Sequence, residues 1–478
     1  MNKNIALLVL IVLLGTIVRF AGLDSESLWT DEMLSVDHAR QTSLWQVVEH
    51  VGTKEAAPPG HYLLLHYWIQ IFGSSDVSVR LPSVLFSIAS ILVMYALMKL
   101  FFSERASLIA ALLFSISLQQ VVYAQEARLY SMFTFIALLT TYFFIRGFVM
   151  DEKWLKYAYL AALTFALYTN YLAAVLIAFY GFLLVWNNRK IGSWMLMTGC
   201  SLLFAVPLLL LAFQQFMQAN RGLSDILMNY GIPQPIAGLG LFIFALPSII
   251  VCILLVSCVI FRKRITALKV HLHQLAFVIL VALFCAASAY VSMYPLSLFG
   301  IPVFRVPLTN SYFLVRHSLF LVPLLYVYAA WKTDTLRRAY AIVVLVMILV
   351  TNVFALVVYY TTSTKPDWEG AMNAIVQHSN GTPFMLLDRG GGSNAMLLDR
   401  YYPDAQSVAL TQYASRSEFY QIPDATVIEM VQQLPEFWLV LSKSQGTGNY
   451  YRELFDAHFE RGFSRSFDGV DVYLYRAG

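Results

Sequence analysis

The sequence predicts a polytopic α-helical membrane protein of about eleven transmembrane helices, followed by a C-terminal soluble α/β domain. Three observations predict it. Of 478 residues, 59% are hydrophobic and only 13% charged, against about 25% charged in soluble proteins. Apolar stretches of membrane-spanning length recur from residue 5 to residue 360. After Tyr360 the pattern changes to short strand-like runs alternating with helical ones. The mean hydropathy of +0.65 excludes an ordinary soluble protein. The expected division is a membrane module over 1–360 and a second domain over 361–478.

Stretches able to cross a roughly 30 Å hydrocarbon core run over 5–22, 81–101, 106–123, 130–147, 157–171, 172–186, 193–213, 237–260, 274–294, 311–330 and 339–360. The first could pass for a signal peptide. No small-residue cleavage site follows, and Arg19 leads directly into Phe20, so a retained helix is expected. Cys200, Cys252, Cys258 and Cys285 all fall inside apolar spans, which points to packing rather than to disulfides or metal ligation.

Basic residues orient the chain. Lys99 and Arg105, then Arg146, Lys153 and Lys156, then Arg189 and Lys190 occupy alternate gaps. So do Arg262-Lys263-Arg264, Lys269, Lys332 and Arg337-Arg338. All lie on one side if the N-terminus is cytoplasmic, as the positive-inside rule requires. The loop 23–80, the turn 124–129, the loops 214–236 and 295–310 and the C-terminal domain then face outward. The expected location is the inner (plasma) membrane, multi-pass, with the C-terminal domain extracytoplasmic.

Within the first outer loop, Ser43-Leu44-Trp45-Gln46 is a capping-box pattern opening an amphipathic helix. Gly60 to Phe72 is apolar but too short to span, so two helices lying in the interface are expected. In the last domain, strands are expected at Phe384–Asp388, Val408–Gln412, Phe437–Ser442 and Val470–Tyr475. Helices are expected at Trp368–Gln377, Asn394–Tyr402, Ala425–Leu434 and Tyr450–Phe459.

The chemistry-bearing residues gather on the outward side. Leu28-Trp29-Thr30-Asp31-Glu32 puts two adjacent carboxylates just outside the first span, where packing gives no reason for them. Lys54-Glu55-Ala56-Ala57-Pro58-Pro59-Gly60-His61-Tyr62 stiffens the entry to the short helix, and Gln125-Glu126-Ala127-Arg128-Leu129-Tyr130 forms the next outer turn. Arg305 and Arg316-His317 follow at later outer positions. Ionisable groups at a bilayer are costly and pair with one another or serve a function.

Such a set suits transfer of a sugar from a polyprenyl-phosphate carrier to an acceptor hydroxyl. Asp31 is the candidate base, with Glu32 or Glu126 as orienter or second acid. Arg128, Arg305, Arg316 and Lys54 are candidates to hold the departing phosphate, arginine being suited to bidentate contact. His61, Tyr62 and Tyr130 are candidate substrate-binding groups. Direct displacement inverts the anomeric centre. Structural alternatives remain open. Glu126 and Arg128 form an ion pair at a helix junction, Arg305 and Arg316 snorkel to headgroups, and Lys54 is an ordinary loop charge. His61, His66 and His317 serve interfacial packing. Asp388-Arg389-Gly390-Gly391-Gly392-Ser393 reads as a tight strand-to-helix turn without a Walker lysine.

Several patches together resemble the polyprenyl-phosphate-dependent glycosyltransferases of the GT-C fold, those related to protein O-mannosyltransferases and to lipid A aminoarabinose transferase. They are Trp29-Thr30-Asp31-Glu32, Ala57-Pro58-Pro59, Arg80-Leu81-Pro82-Ser83, Gln125 to Tyr130 and Lys365-Pro366-Asp367-Trp368. The resemblance implies that Asp31 is the catalytic base and that Arg128 and Arg316 lie near the lipid phosphate. One departure stands out: the family's His-Pro-Pro reads Ala57-Pro58-Pro59 here, so a histidine role passes to His61 only if the next turn presents it. Some relatives carry a metal ion near the site, which admits a divalent cation. This sequence shows no dense ligand cluster and assigns no metal ligands.

The expected partners are a polyprenyl-phosphate sugar donor, a glycan, lipid or protein acceptor and membrane lipids, with no nucleic acid. The alternatives are a lipid-linked oligosaccharide polymerase or ligase, which would carry its chemistry in large later loops, and a lipid-linked sugar transporter, whose inverted repeats are not evident.

Overall fold

The computed structural model describes residues 3–186, 191–215, 323, 326–327, 329–331, 338–363, 365–387, 400–402, 406–413, 419–442 and 448–476. The membrane module is helical: α1 (Lys3–Phe20), α5 (Asp76–Met98), α6 (Glu104–Ser115), α7 (Leu118–Ala124), α8 (Tyr130–Phe144), α9 (Lys153–Thr169), α10 (Ala173–Trp186), α11 (Gly192–Phe204), α12 (Val206–Gln215) and α13 (Arg338–Thr361). Among the described residues, three helices are long and apolar enough to cross a membrane, and up to five if each bent pair is one span. The stretches expected at 237–260 and 274–294 and most of 311–330 lie outside the described residues. So do Arg305, Arg316, His317 and the 388–393 turn.

The span expected over 106–123 is broken, α6 and α7 meeting at 52°. A buried cation sits at the break. Arg19 on α1 donates to the Ser115 carbonyl at 2.7 Å, to the Gly15 carbonyl at 2.9 Å and to Ser87 Oγ on α5 at 2.8 Å. The carbonyl freed where α6 ends therefore receives a donor, as buried backbone requires. A second bend, of 59°, separates α11 from α12.

Between α1 and α5 lie three helices rather than the expected two: α2 (Thr30–Ala39), α3 (Leu44–Lys54) and α4 (Gly60–Phe72). Sequence periodicity does not announce α2, because acids and apolar residues alternate without a clear stripe. Its start is fixed instead by a first-turn acid reaching back: the Trp29 amide donates to Glu32 Oε2 at 3.4 Å. For α3 the expected cap is present, Ser43 Oγ accepting from the Gln46 amide at 3.3 Å. At the start of α4, Gly60 passes so close to α9 that a Cβ there would stand 2.5 Å from the Tyr168 carbonyl oxygen. Within α5, Pro82 cannot donate to the carbonyl one turn back. Trp68 Nε1 on α4 donates to that Ser78 carbonyl at 2.9 Å instead, locking α4 against α5.

The C-terminal domain carries a five-stranded sheet in the order β2-β1-β5-β7-β6. Its strands are β1 (Phe384–Leu387), β2 (Gln406–Ala409), β5 (Glu436–Ser442), β6 (Glu460–Phe467) and β7 (Val470–Arg476). β1 runs parallel to β2 and β5, while β7 is antiparallel to both β5 and β6. A separate pair, β3 (Thr411–Tyr413) and β4 (Phe419–Gln421), is antiparallel. Helices α14 (Trp368–His378), α15 (Asp424–Gln432) and α16 (Gly448–Asp456) complete it. Asp367 caps α14 by accepting from the Gly370 amide at 2.8 Å. β6 escapes sequence reading because its residues are mostly exposed and lack an apolar alternation.

One core joins this domain to the first loop. Leu28, Met33, Val36 and Ala39 pack with Trp368, Met372, Ile375, Met385, Trp438 and Val470. Each such apolar side chain fully withdrawn from water contributes about 1.5–3 kcal/mol. Polar contacts line the seam: Arg400 Nε donates to Asp76 Oδ1 at 2.9 Å, and Tyr401 OH donates to Asp76 Oδ2 at 2.8 Å.

Candidate active site

Four stretches far apart in sequence converge above the helical module: the start of α2, the α3–α4 junction, the 125–130 turn and Lys365. The turn is held from below, Gln125 Nε2 donating to the Ala21 carbonyl at 2.7 Å and Ser83 Oγ to the Arg128 carbonyl at 3.1 Å.

Glu32 is the hub of the inner side. It is fully buried, and its carboxylate accepts Arg80 Nε at 2.8 Å and Arg80 Nη2 at 2.9 Å. The Ala127 amide reaches it at 2.9 Å and Lys365 Nζ at 3.0 Å. Burial alone would raise this carboxyl, but Lys365 and Arg80 outweigh it and hold the group down at about 2. Arg80 also donates to the carbonyls of Leu23 and Glu26 at 2.8 and 2.9 Å. Glu32 thus pins α2, α5, the 125–130 turn and the entry to the C-terminal domain together. Two cations and one amide occupy its oxygens.

Arg128 is the hub of the outer side. Its Nη1 reaches the Asp31 carbonyl, Ser35 Oγ and Glu55 Oε2, each at 3.1 Å, and its guanidinium lies 5.9 Å from the centre of the Tyr130 ring. Burial would raise Glu55, but Arg128 prevails and brings it to about 2. Around this pair two buried polar atoms, Arg128 Nε and His61 Nε2, have no hydrogen-bond partner among the described residues, while the Tyr62 hydroxyl lies against the Glu55 carboxylate. Buried polar atoms in native proteins are nearly always satisfied, which makes these two atoms candidates for contact with a polar ligand. His61 stays neutral, burial taking it down to about 3 with Arg128 adding to the effect.

Between the hubs lies Glu126, buried at 8% exposure. Burial pushes its carboxyl up to about 7, helped by Glu32 and Asp31 and opposed by Lys365 and Arg128. Asp31 is half-buried at the mouth. The arrangement offers an accessible carboxylate, a second carboxyl that exchanges a proton near neutrality, and an arginine with unspent donor capacity.

The structure brings together Asp31, Glu32, Glu126, Arg128, His61, Tyr62 and Tyr130. Lys54 turns away, its ammonium 3.9 Å from Asp37 Oδ2 and half-exposed. His61 enters from the first turn of α4. Sequence reasoning missed Glu55, Arg80 and Lys365 as site components. Glu55 was visible as the neighbour of Lys54, and Arg80 and Lys365 as parts of the resemblance, but nothing local assigned them partners. Among the described residues, the group whose ligand atoms converge as a metal site would require is Asp37, His38 and His50.

A family model described as dolichyl-phosphate-mannose-protein mannosyltransferase matches residues 56–213, a stretch running from the α3–α4 junction through the 125–130 turn. No curated protein matches by sequence. Two solved structures are similar along nearly the whole chain. The apo structure of ArnT from Cupriavidus metallidurans has a TM-score of 0.50 at 14% identity, covering 98% of each chain. The archaeal oligosaccharyltransferase AglB from Archaeoglobus fulgidus, in complex with an inhibitory peptide and a dolichol-phosphate, has a TM-score of 0.51 at 14% identity. That match covers 99% of this chain and 74% of that one. The chain has the GT-C fold. The expectation of a helical membrane module with a small C-terminal sheet domain holds, and in this GT-C fold the site described above lies where the first loop meets that domain.

Proposed function

We propose that this GT-C protein is an inverting glycosyltransferase that moves a sugar from a polyprenyl-phosphate donor to an acceptor hydroxyl on the outer face of the membrane. The observation that carries the proposal is the buried Arg128, whose Nε, like the neighbouring His61 Nε2, has no hydrogen-bond partner among the described residues. A phosphodiester oxygen is the group that such donors receive best.

In the reaction, Asp31 takes the proton of the acceptor hydroxyl as that oxygen bonds to the anomeric carbon from the face opposite the phosphate. The anomeric carbon–oxygen bond breaks, and its electron pair leaves on the polyprenyl phosphate. Arg128 stabilises the charge that gathers there. Glu126, protonated up to neutral pH, adds no third negative charge beside Asp31 and Glu32. Glu32, Arg80 and Lys365 hold the three stretches in register. Any divalent cation of the kind found in relatives would have to do without Glu32, whose oxygens are already taken by Arg80, Lys365 and the Ala127 amide.

The test is transfer by purified protein in detergent, from a panel of radiolabelled polyprenyl-phosphate sugars to a cell-envelope extract. Asp31→Asn is expected to lose transfer by about 100-fold or more, while still binding polyprenyl phosphate. Equal transfer by the variant removes Asp31 as base. Because an oligosaccharyltransferase shares the fold, the panel includes diphosphate-linked oligosaccharides. Consumption of those alone would assign the polymerase or ligase reading.

A further inference from the structure

We infer that α2 and α3 are joined by a transition-metal site of the zinc class, built from Asp37, His38 and His50 and separate from the Asp31–Glu126–Arg128 pocket. One ligand atom from each of the three lies within 4.8 Å of the others. The two imidazoles turn their Nδ1 atoms toward each other at 3.0 Å, the rings crossing at 76°. Two nitrogens bound to one zinc at its usual 2.0–2.1 Å in a tetrahedron stand about 3.3 Å apart, so this pair is already at ligand separation. Asp37 Oδ2 is a buried atom without a hydrogen-bond partner among the described residues, and it lies 3.6 Å from His50 Nε2.

The surroundings fit a metal better than a simple polar cluster. His38 is completely buried, and its Nε2 also lacks a hydrogen-bond partner. Glu55 Oε2 stands 3.9 Å beyond that nitrogen. With Nδ1 on a metal, Nε2 must carry the proton, and Glu55 is the carboxylate toward which it points. That is the carboxylate–histidine–metal relay that fixes a ligand's tautomer. Two imidazoles and one carboxylate, with no sulfur, favour zinc or a neighbouring divalent ion over calcium or magnesium. Lys54 Nζ, 3.9 Å from Asp37 Oδ2, is the cation that neutralises the carboxylate when the metal is absent.

The metal would clamp the hairpin formed by α2 and α3. Asp31 sits two turns before His38 on α2, and Glu55 directly follows α3. The site therefore fixes the spacing between the proposed base and the partner of Arg128 without touching substrate.

The experiment uses the full-length protein in detergent, stripped with chelator, reloaded with Zn(II) alone and desalted, with bound zinc measured by mass spectrometry and affinity by calorimetry. Wild type is expected to keep about one equivalent. His50→Gln and Asp37→Asn are expected to weaken binding at least ~10-fold, and Lys54→Met to tighten it. Glu126→Gln is expected to leave it unchanged. Equal zinc retention by wild type and His50→Gln overturns the site, leaving a hydrogen-bonded imidazole pair only. Loss of zinc in Glu126→Gln but not in His50→Gln overturns it in favour of the catalytic pocket. If His50→Gln does not yield folded protein, X-ray absorption of zinc-loaded wild type decides. Imidazole scattering from two ligands supports the site, and an oxygen-only shell overturns it.

Discussion

Glu55 meets Arg128 at 3.1 Å, and the two form a buried pair drawn from the end of one helix and from a turn more than seventy residues away. Under the proposed function, a lipid phosphate held by Arg128 would supply the negative charge that Glu55 otherwise provides. Removing one member of a buried pair costs about 3–5 kcal/mol, because the other charge is left uncompensated. Glu55→Gln should therefore melt at a lower temperature than wild type in the empty state. A short-chain polyprenyl phosphate should raise its melting temperature more than it raises that of wild type. Identical ligand-induced shifts would show that phosphate does not bind at Arg128.

Glu32 presents the complementary case. Glu32→Gln leaves Arg80 and Lys365 buried without a counter-charge and should cost about 3–5 kcal/mol. Lys365→Met removes the ammonium bonds to Glu32 and to the Gln125 carbonyl but leaves Glu32 paired with Arg80, and should cost less, about 1.5–3 kcal/mol. Thermal unfolding in detergent measures both. A Glu32→Gln protein as stable as wild type would refute the positioning role.

The pH dependence of turnover should expose Glu126. Its carboxyl is raised from its ordinary range to about 7. The favourable contribution of its neutral form is thus fully present below about pH 4.5 and lost as pH rises through about 7. Glu126→Gln mimics that neutral form. The variant should transfer sugar at rates near wild type at pH 6 and should not share the wild-type decline above neutrality. Glu32 and Glu55, both held near 2, act in the opposite sense, their stabilisation being lost only in strong acid. A Glu126→Gln enzyme equally inactive at pH 6 and pH 8 would make this carboxyl a base instead.

Gly60 offers a purely steric test. A methyl group there meets the Tyr168 carbonyl oxygen at 2.5 Å, which is backbone and cannot swing aside. Gly60→Ala should destabilise by about 1–3 kcal/mol. Because α4 then shifts His61 and Tyr62, it should also raise the apparent KM for donor. An unchanged KM would mean that α4 does not contribute to the donor pocket.

What the sequence discloses depends on how local the cause is. Asp31 and Glu32 stand out because charge beside an apolar span is expensive. The cap at Ser43 and the length of α4 follow from patterns confined to a dozen residues. Lys365 could not be read this way, since it donates to a carboxylate 333 residues earlier. Glu55 drew no assignment beside Lys54, which could be an ordinary loop charge, whereas the fold turns the two apart, one toward Arg128 and the other toward Asp37. The bend between α6 and α7 was hidden for a similar reason: the donor that tolerates it, Arg19, lies on another helix.

The shared core of Leu28, Met33, Trp368 and Trp438 has a consequence for the order of events during synthesis. The segment carrying Asp31 leaves the ribosome among the first, yet the lysine and tryptophans that set its geometry come from the last quarter of the chain. Until that portion has been made and delivered to the same side of the membrane, the early loop lacks its lid and half of its counter-charges. A nascent or prematurely terminated chain would thus lack the assembled site, which forms only once the molecule is finished.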